Sequence, residues 1–163
     1  IDKILLAISK LPKNHLNSIR IFIVGGEGDG IGYLQELISN LEIEKNVHLE
    51  IDISNKRKSD LYMKSDLYIQ PSYYEGFGNS VLEAMCFGTP CVVSSSTAQP
   101  EVVIKSGYIV NEITTDSIYE AIINFSKKTI EERQAMIKDV RRTVIDFHSY
   151  DARLEAYLKI IKK

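Results

Sequence analysis

The sequence predicts an α/β domain in which a Rossmann-like parallel sheet is flanked by helices. Two observations support this fold class: short apolar runs alternate with segments of helical periodicity, and turn residues separate the two kinds of segment. A chain of 163 residues is long enough to bury one full core. We therefore treat residues 1–163 as a single domain.

The strands are predicted from apolar runs that stop at turn-forming residues. The first run stops at Gly25-Gly26. The predicted strands cover residues 20–24, 47–51, 66–70, 91–93 and 108–110.

The helices are predicted from apolar residues at helical spacing and from their stop signals. Pro12 stops the first helix, Gly88 and Pro90 end the helix of the central segment, and Pro100 fits the first turn of a short helix. The predicted helices cover residues 4–11, 34–41, 56–64, 80–87, a short segment from 101, 117–127, 130–146 and 151–161.

Composition excludes several functional classes. The net charge of −2 offers no basic field for nucleic acid. No apolar run reaches the length of a membrane span, and no signal peptide is visible. We expect a cytoplasmic protein without a nucleic-acid partner. The longer protein to which we expect this chain to belong can associate with the membrane surface.

The cysteines and histidines do not indicate a metal site. Cys86 and Cys91 are predicted to be small buried hydrophobic residues in a reducing compartment. His15, His48 and His148 lack the spacing of metal ligands. The sequence also has no Asp-x-Asp motif, so we expect no metal cofactor.

The segment PSYYEGFGNSVLEAM, from Pro71 to Met85, carries the strongest functional signal. Gly76 and Gly78 lack Cβ, so a ligand can approach the backbone closely. The helix that follows offers free N–H groups and a positive dipole end, which suit a phosphate. Glu83, deeper on that helix, can accept two hydrogen bonds from a vicinal diol such as ribose. These parts predict a pocket for a sugar, a diphosphate and a ribose.

Topology places this segment on the binding edge of the sheet. Ligands of doubly wound sheets bind at the carboxyl ends of the strands. The loops expected there cover residues 25–30, 52–56, 71–79, 94–100 and 111–114. The loop that carries Glu75 is one of them.

The same segment resembles the signature of the retaining, nucleotide-sugar-dependent glycosyltransferases of family four, which have the GT-B fold. That pattern reads P-S-x-x-E-G-F-G-x-x-x-L-E-A-M-x-x-G-x-P-V-V-x-S and then P-E-V-V. This chain reads PSYYEGFGNSVLEAMCFGTPCVVSSSTAQPEVV, and Glu75 and Glu83 stand eight positions apart, as in the paired-glutamate motif. The resemblance extends along nearly the whole chain, as far as Phe147-His148-Ser149-Tyr150.

The resemblance implies a role for each matching residue. Glu83 would hold the ribose hydroxyls, and Glu75 would line the donor-sugar region as the candidate catalytic residue. Catalysis would follow a front-face displacement, in which the enzyme supplies positioning and electrostatic stabilisation. The backbone near Asp52 and Ile53 would contact the base. The implied donor-binding residues are Gly26, Glu75, Gly76, Phe77, Gly78, Asn79 and Glu83.

The chain departs from the family pattern at two loops. Thr97-Ala98 replaces a glycine pair, which predicts a narrower donor-sugar pocket or a different sugar. Ile51 replaces a glycine in the turn that precedes the base-contacting residues. Glu101 is retained and can also be read as an acid that stabilises the first turn of a helix.

Three features have structural interpretations that stand beside the functional ones. The loop of residues 25–30 can be a tight strand-to-helix turn rather than a phosphate cradle. Tyr73 and Tyr74 are predicted to pack within their loop rather than to stack on a sugar. Residues 56–58, Lys-Arg-Lys, are predicted to be a solvated helix start.

The resemblance also predicts segments that would precede Ile1. These are a central first strand, an Arg and a Lys that neutralise the donor diphosphate, and an amino-terminal domain that binds the acceptor. We therefore expect this chain to be the donor-binding half of a longer GT-B enzyme, and to transfer little or nothing by itself.

The function predicted for the parent is hexosyl transfer in polysaccharide biosynthesis. The donor would be a nucleoside diphosphate sugar and the acceptor a glycan or a lipid-linked glycan. Two alternatives remain open: a nucleotide-sugar-binding module without catalysis, and a sugar-nucleotide epimerase on the same fold. The Glu-Gly-Phe-Gly segment disfavours the epimerase.

Overall fold

Strands and helices alternate along residues 1–161, the part of the chain that the computed structural model describes. All strand pairs are parallel, which confirms the predicted fold class. The strands are β1 (Ile21–Gly25), β2 (Val47–Ile51), β3 (Tyr68–Gln70), β4 (Cys91–Ser94) and β5 (Tyr108–Val110).

The helices follow the predicted order, with one short addition near the amino terminus. The helices are α1 (Asp2–Ser9), α2 (Lys13–Leu16), α3 (Gly30–Asn40), α4 (Asn55–Lys64), α5 (Asn79–Cys86), α6 (Gln99–Val103), α7 (Thr115–Ser126), α8 (Ile130–Thr143) and α9 (Tyr150–Ile161). The prediction of one helix over residues 130–146 is wrong at its end, because a π-helical turn, Val144–His148, follows α8. In residues 1–161, no helix has both the length and the apolarity that a membrane crossing requires.

The strands form two sheets rather than one continuous sheet. β1 pairs with β2, and β4 lies between β3 and β5. Within the described residues, no strand pairing connects the two sheets. A central strand that precedes Ile1 remains a prediction.

Helix α1 connects the two sheets through the hydrophobic core. Leu5 packs with Ile38 and Val47 on the side of β1 and β2. Ala7, on the same helix, packs with Ile118 of α7 beside the other sheet. Burying a Leu or Ile side chain contributes about 1.5–3 kcal/mol, so α1 is a main link between the two halves of the domain.

Helix α5 is fixed by a separate apolar cluster. Val81, Ala84 and Met85 are fully buried and recur at helical spacing. They pack with Val93 of β4 and Val102 of α6. The rest of the helix surface, which carries Glu83, is therefore left for polar contacts.

The two cysteines differ in exposure. Cys91 is buried in β4, as predicted. The prediction of burial is wrong for Cys86, which is exposed. It ends α5 on the side away from Val81, since residues five positions apart on a helix do not share a face.

Candidate functional site

Gly78 forms the turn into α5 from the loop of residues 71–78, which we call the signature loop. It caps the helix in a left-handed conformation, with φ 90° and ψ 51°, which favours glycine. A Cβ on Gly78 would lie 3.4 Å from Cγ of Gln99 and 3.7 Å from Cγ of Glu75. At Gly76, by contrast, an added Cβ would have no heavy atom of residues 1–161 within 4 Å other than those of Gly76 and its two chain neighbours. The two glycines therefore serve different purposes: Gly78 is required by the fold, whereas Gly76 leaves open space.

Glu75 is held by a side-chain network based on Gln70, the last residue of β3. Nε2 of Gln70 donates to Oε2 of Glu75 at 3.1 Å. Oε1 of Gln70 accepts hydrogen bonds of 2.5 Å from the hydroxyls of both Tyr68 and Ser80. Because two hydroxyl donors occupy Oε1, the amide orientation is fixed and its N–H groups are directed to Glu75. Sequence reasoning missed Gln70, although a glutamine at the end of an apolar strand is a usable signal.

Gln99 connects the carboxyl ends of β3 and β4 behind this loop. Its side chain is fully buried, and Nε2 donates to the carbonyl oxygen of Gln70 at 2.9 Å. Its Oε1 accepts from the backbone N–H of Ser94 at 3.2 Å. The Ser94 hydroxyl in turn donates to the carbonyl oxygen of Ser72 at 2.5 Å. This buried network supports the backbone on which Glu75 and Gly78 lie.

Glu83 projects from α5 toward α4. Nζ of Lys58 lies 2.9 Å from Oε2 of Glu83, and the Tyr62 hydroxyl donates to the same oxygen at 3.3 Å. Burial raises the pKa of Tyr62 above its usual range, so this hydroxyl stays protonated and remains a donor. The nearest approach of Lys58 and the hydrogen bond from Tyr62 both fall on Oε2 of this carboxylate. Oε1 is left for a ligand.

Two of the three basic residues at the start of α4 are paired with carboxylates and partly exposed. Nε of Arg57 donates to Oε2 of Glu50 at 2.8 Å, and a second guanidinium nitrogen contacts Oε1. Lys58 pairs with Glu83. The prediction of a solvated helix start is incomplete for these two residues: their side chains are 42% and 37% exposed but are also paired, because strand β2 and helix α5 each present a carboxylate to α4. It holds for Lys56, which is exposed.

Gly26 and Asp52 lie together at the carboxyl ends of β1 and β2. Asp52 has φ 49°, and its backbone N–H donates to the carbonyl oxygen of Gly25 at 2.9 Å. Its Oδ1 would lie 3.4 Å from a Cβ on Gly26. Ile53 follows in the same loop, and only Ser54 separates it from α4. Since Lys58 belongs to α4, its ion pair with Glu83 links this group of residues to the signature helix.

Phe77 has a structural side chain within the signature loop. Its ring meets that of His148 edge to face, with centroids 6.1 Å apart, and the Arg153 guanidinium lies 5.1 Å from its centroid. Phe77 thus joins the loop to the carboxyl-terminal segment, and only its backbone N–H is left for a ligand. Asn79, the first residue of α5, is exposed.

The two tyrosines before Glu75 behave differently. The Tyr73 hydroxyl contacts Lys3 and donates to the carbonyl oxygen of Ile113 at 3.3 Å. These partners lie outside its own loop and Tyr73 is 55% exposed, so the structure does not confirm packing within the loop for Tyr73. The prediction of loop packing is wrong for Tyr74, which is 94% exposed.

Comparison with protein families identifies one match over most of the chain. The model of the family described as glycosyl transferases group 1 matches residues 1–143. An uncharacterized glycosyltransferase of Methanocaldococcus jannaschii is 29% identical over 159 residues, which cover 88% of this chain and 40% of that protein. The O-antigen chain mannosyltransferase RfbU of Salmonella typhimurium is 32% identical over 111 residues, which cover 68% of this chain and 31% of that protein. The chain thus spans less than half the length of these relatives.

Solved structures with the same fold include two enzymes. WaaG, a glycosyltransferase involved in lipopolysaccharide biosynthesis, has a TM-score of 0.79 at 21% identity, over 93% of this chain and 40% of that one. Sucrose-phosphate synthase from Thermosynechococcus elongatus has a TM-score of 0.81 at 20% identity, over 99% of this chain and 42% of that one. At these identities the likeness establishes the fold alone.

Proposed function

Since this chain belongs to the family of glycosyl transferases group 1, we propose that it is the nucleotide-sugar-binding domain of a retaining, family-four glycosyltransferase. The observation that carries the proposal is the arrangement of Glu75 and Glu83 around the start of α5. Each carboxylate receives its polar contacts on one oxygen, Oε2, from residues of the same domain. A free oxygen on each is what binding of sugar and ribose hydroxyls requires.

The parent protein transfers a hexose from a nucleoside diphosphate sugar to a glycan or a lipid-linked acceptor. The similarity to RfbU of Salmonella typhimurium, an O-antigen chain mannosyltransferase, supports a hexosyl donor and a role in polysaccharide biosynthesis. A second, acceptor-binding domain of the parent supplies the other half of the site. The reaction takes place in the cytoplasm, at the membrane surface when the acceptor is lipid-linked.

The proposed reaction is a front-face displacement. The acceptor oxygen forms a bond to the anomeric carbon as the bond from that carbon to the diphosphate oxygen breaks, and the diphosphate takes the acceptor proton. The positive end of α5 stabilises the charge on the diphosphate. Glu75 orients the donor sugar, and Glu83 orients the ribose.

No divalent metal takes part in the proposed reaction. Among residues 1–161, no cluster of three or more His, Cys, Asp or Glu side chains has the arrangement of a metal site. In this proposal the donor diphosphate is bound by the amino end of helix α5 and by cations of the full-length protein.

The test begins with thermal unfolding of the full-length protein against a panel of nucleotide sugars, because a ligand that binds only the folded state raises the unfolding temperature. The donor so identified is then assayed for transfer of a labelled sugar to glycan acceptors. We expect stabilisation by one class of nucleotide sugar, followed by transfer. Binding without transfer would favour a binding module, and conversion of the sugar without an acceptor would favour an epimerase.

A further inference from the structure

Lys58 and Tyr62 form a two-point clamp on Glu83. They stand four positions apart on α4, so their side chains share one face of the helix. Both contact Oε2 of Glu83, Lys58 at 2.9 Å and Tyr62 at 3.3 Å. Tyr62 is buried and packs against Tyr68 and Phe87, which fixes its ring.

The clamp has a consequence for ligand binding. A glutamate side chain that is free in solvent loses rotamer entropy when it binds a ligand, which weakens the interaction. The contacts of Glu83 with α4 restrict those rotamers before any ligand arrives. Because the hydrogen bond from Tyr62 and the nearest approach of Lys58 fall on Oε2, the lone pairs of Oε1 remain for hydroxyl donors.

We propose that Lys58 is a positioning residue for the nucleotide-sugar donor, acting through its ion pair with Glu83 on the ribose hydroxyls. This inference rests on the proposed function and assigns a role to a residue outside the signature segment. In this arrangement Tyr62 donates a hydrogen bond to Glu83 from a fixed neutral hydroxyl, and Lys58 adds a positive charge next to the same oxygen. Lys58 itself does not touch the donor.

The test compares ribonucleotides with analogues that lack the ribose hydroxyls. In the full-length protein, binding of UDP, GDP and ADP and of their 2′,3′-dideoxy analogues is measured by calorimetry. For Lys58→Met we expect ribonucleotide affinity to fall about fivefold, the upper range for a partly exposed ion pair. Affinity for the dideoxy analogues should stay unchanged, because they cannot use Glu83.

Lys56→Met is the matched control. It removes the same charge from the same helix, and within residues 1–161 the side chain of Lys56 makes no hydrogen bond or ion pair. We expect it to bind all the nucleotides as the wild type does. Lys58→Gln, which keeps a polar side chain, repeats the test should the methionine variant lose stability.

The outcomes separate this inference from the proposed function. An equal loss of affinity for ribonucleotides and dideoxy analogues would mean that Lys58 contacts the diphosphate directly, and it would overturn the positioning role. Unchanged affinity for both kinds of ligand would overturn it as well. If the wild type binds none of the three nucleotides, the proposed function itself fails, and this inference falls with it.

Discussion

The carboxylate of Glu75 accepts a hydrogen bond of 3.1 Å from the side-chain amide of Gln70. The bond connects the last residue of β3 to the loop in which the signature segment begins. The bond anchors the carboxylate of a loop residue to a strand. The Gln70 amide is itself fixed by hydrogen bonds from the hydroxyls of Tyr68 and Ser80. Orientation of the candidate catalytic residue therefore depends on a residue that no motif identifies.

Gln70→Leu should lower kcat/KM for the donor by about one to two orders of magnitude, because a hydrogen bond to a charged group contributes about 1.5–3 kcal/mol. The measurement is steady-state kinetics of the full-length enzyme, with kcat and donor KM determined separately. Since Glu75 is proposed to orient the reacting sugar, the larger change is expected in kcat. A folded variant with wild-type kcat and KM would mean that Gln70 has no role in positioning Glu75.

Gly88→Ala should destabilise the fold without changing donor binding. Gly88 has φ 85°, and a Cβ there would lie 2.7 Å from Nε of Arg141. A left-handed conformation costs a non-glycine residue about 1–2 kcal/mol, and displacing Arg141 adds to this cost. Urea unfolding of the full-length protein measures the loss.

Gly32→Ala is the matched control for that change. Gly32 lies inside α3. Apart from its chain neighbours and the nearby backbone of the same helix, no atom of the described residues would lie within 4 Å of a Cβ added at Gly32. Alanine in a helix interior is better than glycine by about 0.5–1 kcal/mol, so this variant should be more stable than the wild type. Equal stability of the two variants would contradict the strain at Gly88.

Gly76→Val should abolish donor binding while the protein stays folded. The space next to Gly76 is open in the structure, so a side chain there interferes with a ligand rather than with the fold.

Gly78→Val is expected to lose donor binding more completely than any single carboxylate change. It should also lose stability, because a β-branched residue is placed at φ 90°. Donor affinity and the folded fraction, from circular dichroism, are measured side by side. Parent-like affinity in folded Gly76→Val would exclude this loop from the donor site.

Transfer activity should persist after treatment with EDTA. The reason is that the amino end of α5 can stabilise a diphosphate without a metal ion. The assay uses the full-length enzyme before and after chelation. Loss of activity that Mg²⁺ or Mn²⁺ restores would contradict this prediction.

The sequence predicts the elements of the fold well because local signals mark them. The run that ends at Ile51 matches β2, and the stop signals at Gly88 and Pro90 place the end of α5 within one residue. The division into two sheets has no local signal, since strand pairing depends on contacts between residues far apart in the sequence. The π-helical turn after Thr143 is also unmarked, and there His148 lies 2.8 Å from the carbonyl oxygen of Val102.

The candidate site is only partly predictable for the same reason. Glu75 and Glu83 follow from a contiguous motif. Gln70, Gln99 and Lys58 contribute through tertiary contacts to residues 5 to 29 positions away in the sequence. Lys58 in particular looks like a solvated cation until the fold places Glu83 beside it.

The proposed contact between Glu83 and the ribose of a nucleotide-sugar donor is tested by measuring the donor affinity of Glu83→Ala by calorimetry. We expect the full-length variant to stay folded and to bind the donor about 1.5–3 kcal/mol more weakly than the wild type. Glu101→Ala, which removes the same charge from an exposed position in the first turn of α6, should leave the affinity unchanged. Wild-type donor affinity in folded Glu83→Ala would contradict the proposed contact.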